Sequence, residues 1–164
     1  MKKSLLIPLA CVLVGCTTTI QPITESEQQH IAQTLPQIST NNGQLCVSRV
    51  ADKYLCNKRL AFKFTSDYGP IMGDVRTGNE YFCANLTPGV HYIAGTAQHS
   101  VYYAGAAIPT EYTVSQEIDI RSGERTFAEI RCGGMGDIEL NQVSTERGLT
   151  GILNTPKFQK AHLQ

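Results

Sequence analysis

Tryptophan is absent from this 164-residue chain, charged residues make up only 17 % of it, and acidic and basic side chains cancel. Without a basic excess there is no electrostatic footprint for phosphate, so nucleic acid is excluded as a partner. No apolar run is long enough to cross a bilayer. The longest, Leu5 to Val14, is interrupted by Pro8 and would rise about 15 Å as a helix, roughly half the hydrocarbon thickness. Catalytic signatures are missing as well: there is no Gly-x-Ser-x-Gly, no Ser-x-x-Lys and no His-Glu-x-x-His. The cysteines include no C-x-x-C pair, which argues against zinc. "CGGMGD" (132–137) lacks the Gly-Lys-Ser/Thr of a phosphate loop and reads as a turn between strands. The expectation is a non-enzyme without metal or cofactor.

What is present begins with Lys2 and Lys3, followed by the short apolar run, as in a secretory signal peptide. Its end, Leu13-Val14-Gly15-Cys16, resembles the lipobox of bacterial lipoproteins. The resemblance implies cleavage before Cys16 and acylation of its sulfur and new amine, and two or three acyl chains give durable anchoring where one does not. Thr17 stands where an inner-membrane lipoprotein would carry Asp, so the resemblance favours the outer membrane, periplasmic or surface face left open. A cleaved secretory signal with an incidental Cys is the alternative.

Residues 1–15 then form the signal peptide and 16–43 the lipidated N-terminus and a polar, flexible tether rich in Thr, Gln, Ser and Asn. Inside it, Thr24-Glu25-Ser26-Glu27 has a capping-box pattern that predicts a short helix from Glu25 to about Leu35, stopped by Pro36. Once Cys11 leaves with the signal and Cys16 is lipidated, Cys46, Cys56, Cys83 and Cys132 remain. Four thiols in an oxidising compartment read as two disulfides, with three connectivities. Cys46–Cys56 as a local loop and Cys83–Cys132 as a long-range staple is the favoured arrangement.

From residue 44 the chain becomes a series of short β-rich runs between turn signals: 44–50, 60–66, 71–76, 80–86, 90–103, 111–120, 125–132 and 137–143. Gly95 suggests a bulge or kink within the fifth run. The apolar period then changes, and Ser144 caps a helix carrying Leu149, Ile152 and Leu153, ending before Pro156. The fold class is mainly β, a small antiparallel β-sandwich over 44–155 with a short C-terminal helix and a frayed tail, 156–164.

The segments "LCVSR", "GNEYFCANLTPGVHYI", "IDIRSGERTFAEI" and "IELNQVSTERG" resemble a family of small bacterial lipoproteins of unknown function with a PEGA-like β-sandwich. The positions that carry the resemblance are Arg49, Gly78, Tyr81, Pro88, Gly89, His91, Gly123, Leu140 and Val143, within residues 44 to 153. It implies the sandwich and says almost nothing of activity.

Two features could bind a partner. His99, Tyr102, Tyr103 and Tyr112 flank a small-residue, Pro-containing connection, and tyrosines bury large area at low entropy cost. Edge and core tyrosines are the plainer reading. The run Arg49, Lys53, Lys58, Arg59 and Lys63 could face an anionic envelope component, or simply protect a strand edge. His91 beside the Pro-Gly turn reads as a structural hydrogen-bonding residue. Asp119 and Glu129, with Arg121, Arg125 and Arg131 nearby, suggest a cross-strand charge ladder. The function expected is a lipid-anchored envelope module that binds a protein or envelope polymer without catalysis. The rival is an inhibitor or immunity lipoprotein acting on a periplasmic or extracellular enzyme such as lysozyme, or a surface exclusion protein.

Overall fold

The computed structural model describes residues 24–49, 60–76, 80–132, 137–153 and 157–159. Cys16, Lys53, Cys56, Lys58, Arg59 and the 133–136 turn lie outside them, as do the signal and the first part of the tether. No helix among the described residues is long and apolar enough to cross a membrane.

Among the described residues nine strands and two helices follow one another: α1 (Glu25–Thr34), β1 (Gly43–Arg49), β2 (Phe62–Ser66), β3 (Ile71–Val75), β4 (Glu80–Leu86), β5 (Gly89–Tyr103), β6 (Ala106–Ile120), β7 (Arg125–Cys132), β8 (Ile138–Val143), α2 (Thr145–Leu153) and β9 (Lys157–Gln159). They form a five-stranded sheet, β8-β7-β1-β4-β9, and a four-stranded sheet, β3-β2-β5-β6. The mainly-β sandwich is as expected, but not wholly antiparallel. β1 runs parallel to β7 and β4 parallel to β9, so Lys157–Gln159 of the supposed frayed tail pairs with Glu80–Phe82.

Strand alternation sorts the side chains into two cores. Leu45, Val47, Phe82, Ala84, Leu86, Ala128 and Ile130 face Phe62, Phe64, Ile93, Val114 and Ile118 between the sheets. Cys46, Tyr81, Cys83 and Phe127 point from the other face of the five-stranded sheet toward Ile31 of α1, its C-cap Leu35, and Leu149 and Ile152 of α2. The helices therefore make a third layer, and α1, placed by sequence within a tether, is docked on the domain.

Local chemistry explains both helices. In α1 the capping box is complete: Thr24 N–H donates to Glu27 Oε2 (2.8 Å) and Glu27 N–H to Thr24 Oγ1 (3.4 Å). The far end is held by Arg125, whose guanidinium donates to Ala32 O (3.3 Å), Pro36 O (2.8 Å) and Gln44 Oε1 (2.7 Å). Burial pushes the Arg125 pKa down. At α2, Ser144 Oγ accepts from Arg147 N–H (3.3 Å), and Arg147 Nε reaches the buried Glu129 on β7 at 2.8 Å.

The disulfide joins Cys46 to Cys83, which face one another across the antiparallel β1–β4 pair. This replaces the expected Cys46–Cys56 and Cys83–Cys132 bridges. Cys46 and Cys83 are mid-strand and directly opposite in the register, which brings their sulfurs within bonding reach. Cys132 ends β7.

Three further expectations change. Gly95 makes no bulge, since β5 and β6 pair in unbroken register from Gly89↔Ile120 to Tyr103↔Ala106. Gly95 is instead required by the Phe64 ring, because a Cβ there would lie 2.6 Å from it. Asp119 and Glu129 form no ladder, because β6 and β7 belong to different sheets: Asp119 pairs with Arg121, and Glu129 with Arg131 and Arg147. Of the basic run only Arg49 and Lys63 are described, and neither is on a sheet edge. Lys63 lies on β2, an interior strand, and Arg49 is fully buried.

Candidate functional site

β5 and β6 are each fifteen residues long, but β2 accompanies β5 only from Ile93 to Thr96. Beyond that point the two strands continue as a two-stranded arm of residues 98–111. Six residues of strand carry it roughly 20 Å to its tip. The turn is Ala104-Gly105, with φ of 49° and 84°, the positive pair that a tight two-residue hairpin needs to match strand twist. The segment 104–110, read from sequence as a connection between two strands, is thus a two-residue turn followed by the start of β6 at Ala106.

The arm separates the four sequence candidates. Tyr112, opposite Ala97, packs against the core between the sheets. His99 lies opposite Thr110, both half-buried at the arm's base. Tyr102 and Tyr103 sit at the tip, 78 % and 74 % exposed, with Val101 at 43 % and Ile108 at 48 %. Val101 lies opposite Ile108 and Tyr103 opposite Ala106, on the face that carries Ala97 and Tyr112 into the core; Tyr102 and Ala107 occupy the other face. From Ser100 to Thr110 there is no charged residue. An exposed aromatic surface of this kind, free of charge, has the composition of an interface core.

At the end of the sandwich from which the arm projects lies a cluster that sequence reasoning missed. Arg49 is fully buried; its guanidinium donates to Leu60 O and lies 5.6 Å from the centre of the Phe62 ring. Burial pushes its pKa down and the nearby Glu80 opposes that shift. Glu80, itself buried, accepts from Arg76 N–H, and Arg76 Nε lies 2.5 Å from Asp74. The signal was available: Leu45, Val47 and Arg49 share one strand parity, so Arg49 had to enter the core. Arg49 and Leu60 bracket residues 50–59, which hold Lys53, Cys56, Lys58 and Arg59.

The opposite end holds the one arrangement resembling catalytic chemistry among the described residues. His91 Nδ1 is 2.5 Å from Asp67 Oδ2 and 3.1 Å from Ser66 Oγ, while Nε2 is 2.8 Å from Thr87 O. A serine relay needs the hydroxyl on one ring nitrogen and the carboxylate on the other. Here both meet Nδ1, and the Thr87 carbonyl occupies Nε2. His91 ties the β2–β3 turn to the Thr87-Pro88-Gly89 turn. Asp67 and Tyr68 both have positive φ there (50° and 59°), and Tyr68 stacks on Tyr92 with ring centres 5.2 Å apart.

Asp67 is held below the ordinary carboxylate range, first by the Tyr92 N–H, then by His91 and Ser66. A carboxylate with a lowered folded pKa stabilises fully above its unfolded value, about 3.9, and loses that contribution as pH falls through the folded value. Asp67→Asn should therefore lower Tm at pH 7. The gap to wild type should close as the pH is taken below about 4, measured by thermal melts across pH. A gap that persists unchanged at low pH would contradict this assignment.

Two open clefts flank the turn after β6. One, about 310 Å³, is lined by Asp119, Arg121, Glu124, Arg125, Gln142 and Ser144 among others; a second, about 360 Å³, lies between α1 and α2 beside Phe127. Neither brings a nucleophile to a free base. No group of three or more His, Cys, Asp or Glu able to hold a metal occurs among the described residues.

The fold and the projecting hairpin define a class: a helix-covered β-sandwich, cross-linked by a disulfide, that displays an aromatic arm. Within that class no known relative is found. No protein-family model, curated protein or solved structure matches the chain.

Proposed function

We propose that the protein is a lipid-anchored lipoprotein of the outer membrane, held through acylated Cys16, that binds another envelope component without catalysis. The observation that carries this reading is the arm, with Tyr102 and Tyr103 exposed at the end of an uncharged ribbon. An isolated two-stranded ribbon is marginally stable in water, so one extended this far past its sheet is best explained by a partner. The lipobox-like Leu13-Val14-Gly15-Cys16 supports the anchor.

The anchor and the arm are tested separately. Cys16→Ser should abolish acyl labelling and release the protein from membranes, with the Cys46–Cys83 domain still folded. A variant that remained acylated and membrane-bound would sink the anchor. Tyr102→Ser with Tyr103→Ser should cost at least tenfold in capture of envelope partners by the full chain, while thermal stability stays close to wild type. Equal capture by both proteins would remove the arm from the binding role.

A further inference from the structure

The arm tip is exposed on both faces. Tyr102 stands with Ala107 on one; Val101, Tyr103, Ala106 and Ile108 stand on the other. A segment laid along one face or one edge leaves a tyrosine in water, wherever residues 50–59 run. An occupant must therefore enclose the tip, as a cleft in a protein or the surface of a bilayer does. The polarity of the arm matches a bilayer surface. Gln98, which donates to Glu111 at 3.2 Å, marks a polar base, followed by His99, Ser100 and Thr110. From the Val101–Ile108 pair to the turn the ribbon is uncharged over about 10 Å. Interfacial elements sink about 5–10 Å to the boundary of headgroups and acyl chains, where tyrosine buries its ring and keeps its hydroxyl hydrogen-bonded. At that depth headgroups and water also satisfy the ribbon's outward N–H and C=O groups, which the hydrocarbon core would leave unpaired.

The length of chain before α1 favours the bilayer over a protein cleft. α1 is docked through Ile31 and Leu35 and capped by Thr24, so only residues 17–23 separate it from Cys16. Fully extended, they span about 25 Å. The fifteen residues of β5 span about 50 Å. A lipid on Cys16 would thus keep the domain within its own length of the membrane, and the tip would meet that surface at high effective concentration. We propose that residues 101–108 lie in the headgroup layer of the membrane that carries the lipid anchor, with Gln98 and Glu111 left in water. The inference rests on the anchor and on the arm's binding role, and names the partner. Because Ser100 to Thr110 hold no charge, tyrosine and aliphatic burial drive the contact, and the charge of the lipid does not.

The chain has no tryptophan, so a single one introduced by substitution reports alone. Full-length acylated protein carrying Tyr102→Trp or Tyr103→Trp is reconstituted into phosphatidylcholine vesicles, with and without phosphatidylglycerol. Val90→Trp serves as the reference, because Val90 is 66 % exposed near the opposite end of β5. Lipid spin-labelled near the headgroup should quench both tip reporters at least threefold more than the reporter at position 90. The quenching should be the same in neutral and anionic vesicles, with a blue-shifted emission that detergent removes. Tip reporters quenched no more than the one at position 90, or quenched only with phosphatidylglycerol present, overturn the proposal. Absence of an acyl chain on Cys16 overturns it through the anchor. A photo-cross-linker at Tyr103 in cells separates the two readings. If the vesicle test fails, adducts to a protein leave the arm's binding role standing, whereas none from that position removes both.

Discussion

Arg49→Ala is expected to be the most damaging single substitution in the domain, at about 3–5 kcal/mol. The guanidinium is fully buried between Leu60 O and the Phe62 ring, with Glu80 close enough to oppose the effect of burial on its charge. Removing it leaves the buried Glu80 without that compensation and opens a cavity where the two sheets meet. A domain of this size has about 5–15 kcal/mol in total, so the variant should unfold at much lower denaturant or fail to accumulate. Replacing both partners with apolar residues, as Arg49→Met with Glu80→Leu, should recover a large part of the loss, because no unpaired charge is then stranded. Urea titration of the three variants measures this. An Arg49→Ala midpoint within error of wild type would contradict both the charge and the packing role assigned to Arg49.

The second large effect concerns the cross-strand disulfide. Cys46→Ala with Cys83→Ala should cost about 4 kcal/mol in the chain-entropy treatment, given a sequence separation of 37 residues. The bridge lies beneath α1 and α2 among Tyr81, Phe127, Leu149 and Ile152, so its loss also thins the packing under the helical layer. Reduction of the wild-type protein should bring it toward the same midpoint only after the helices open, since both sulfurs are buried. Melts of the double variant and of slowly reduced wild type measure both effects. A double variant as stable as wild type would mean that the register of β1 and β4 is held by backbone pairing alone.

Much of the fold is legible in local pattern. Each expected strand from 44 to 143 has its counterpart within a few residues, and Thr24, Pro36 and Ser144 mark helix ends through capping and the missing proline N–H. The connection 104–110 was the exception. Small residues and Pro109 look like a loop, yet β5 in perfect register extended β6 back to Ala106. Arg49 was misjudged because charge type outweighed strand parity.

The sequence by itself determined most of the elements, their inward faces, the Thr87-Pro88-Gly89 turn and the structural role of His91 beside it. These follow from φ preference, two- and 3.6-residue periodicity, and hydrogen bonds between near neighbours. Only the tertiary structure decided which strands became neighbours: β1 beside β7 in parallel, Cys46 opposite Cys83, Arg49 against Phe62, and an arm left without β2 beyond Thr96. Such pairings join residues tens of positions apart. They are selected by burial summed over both sheets, a quantity that no single window of sequence contains.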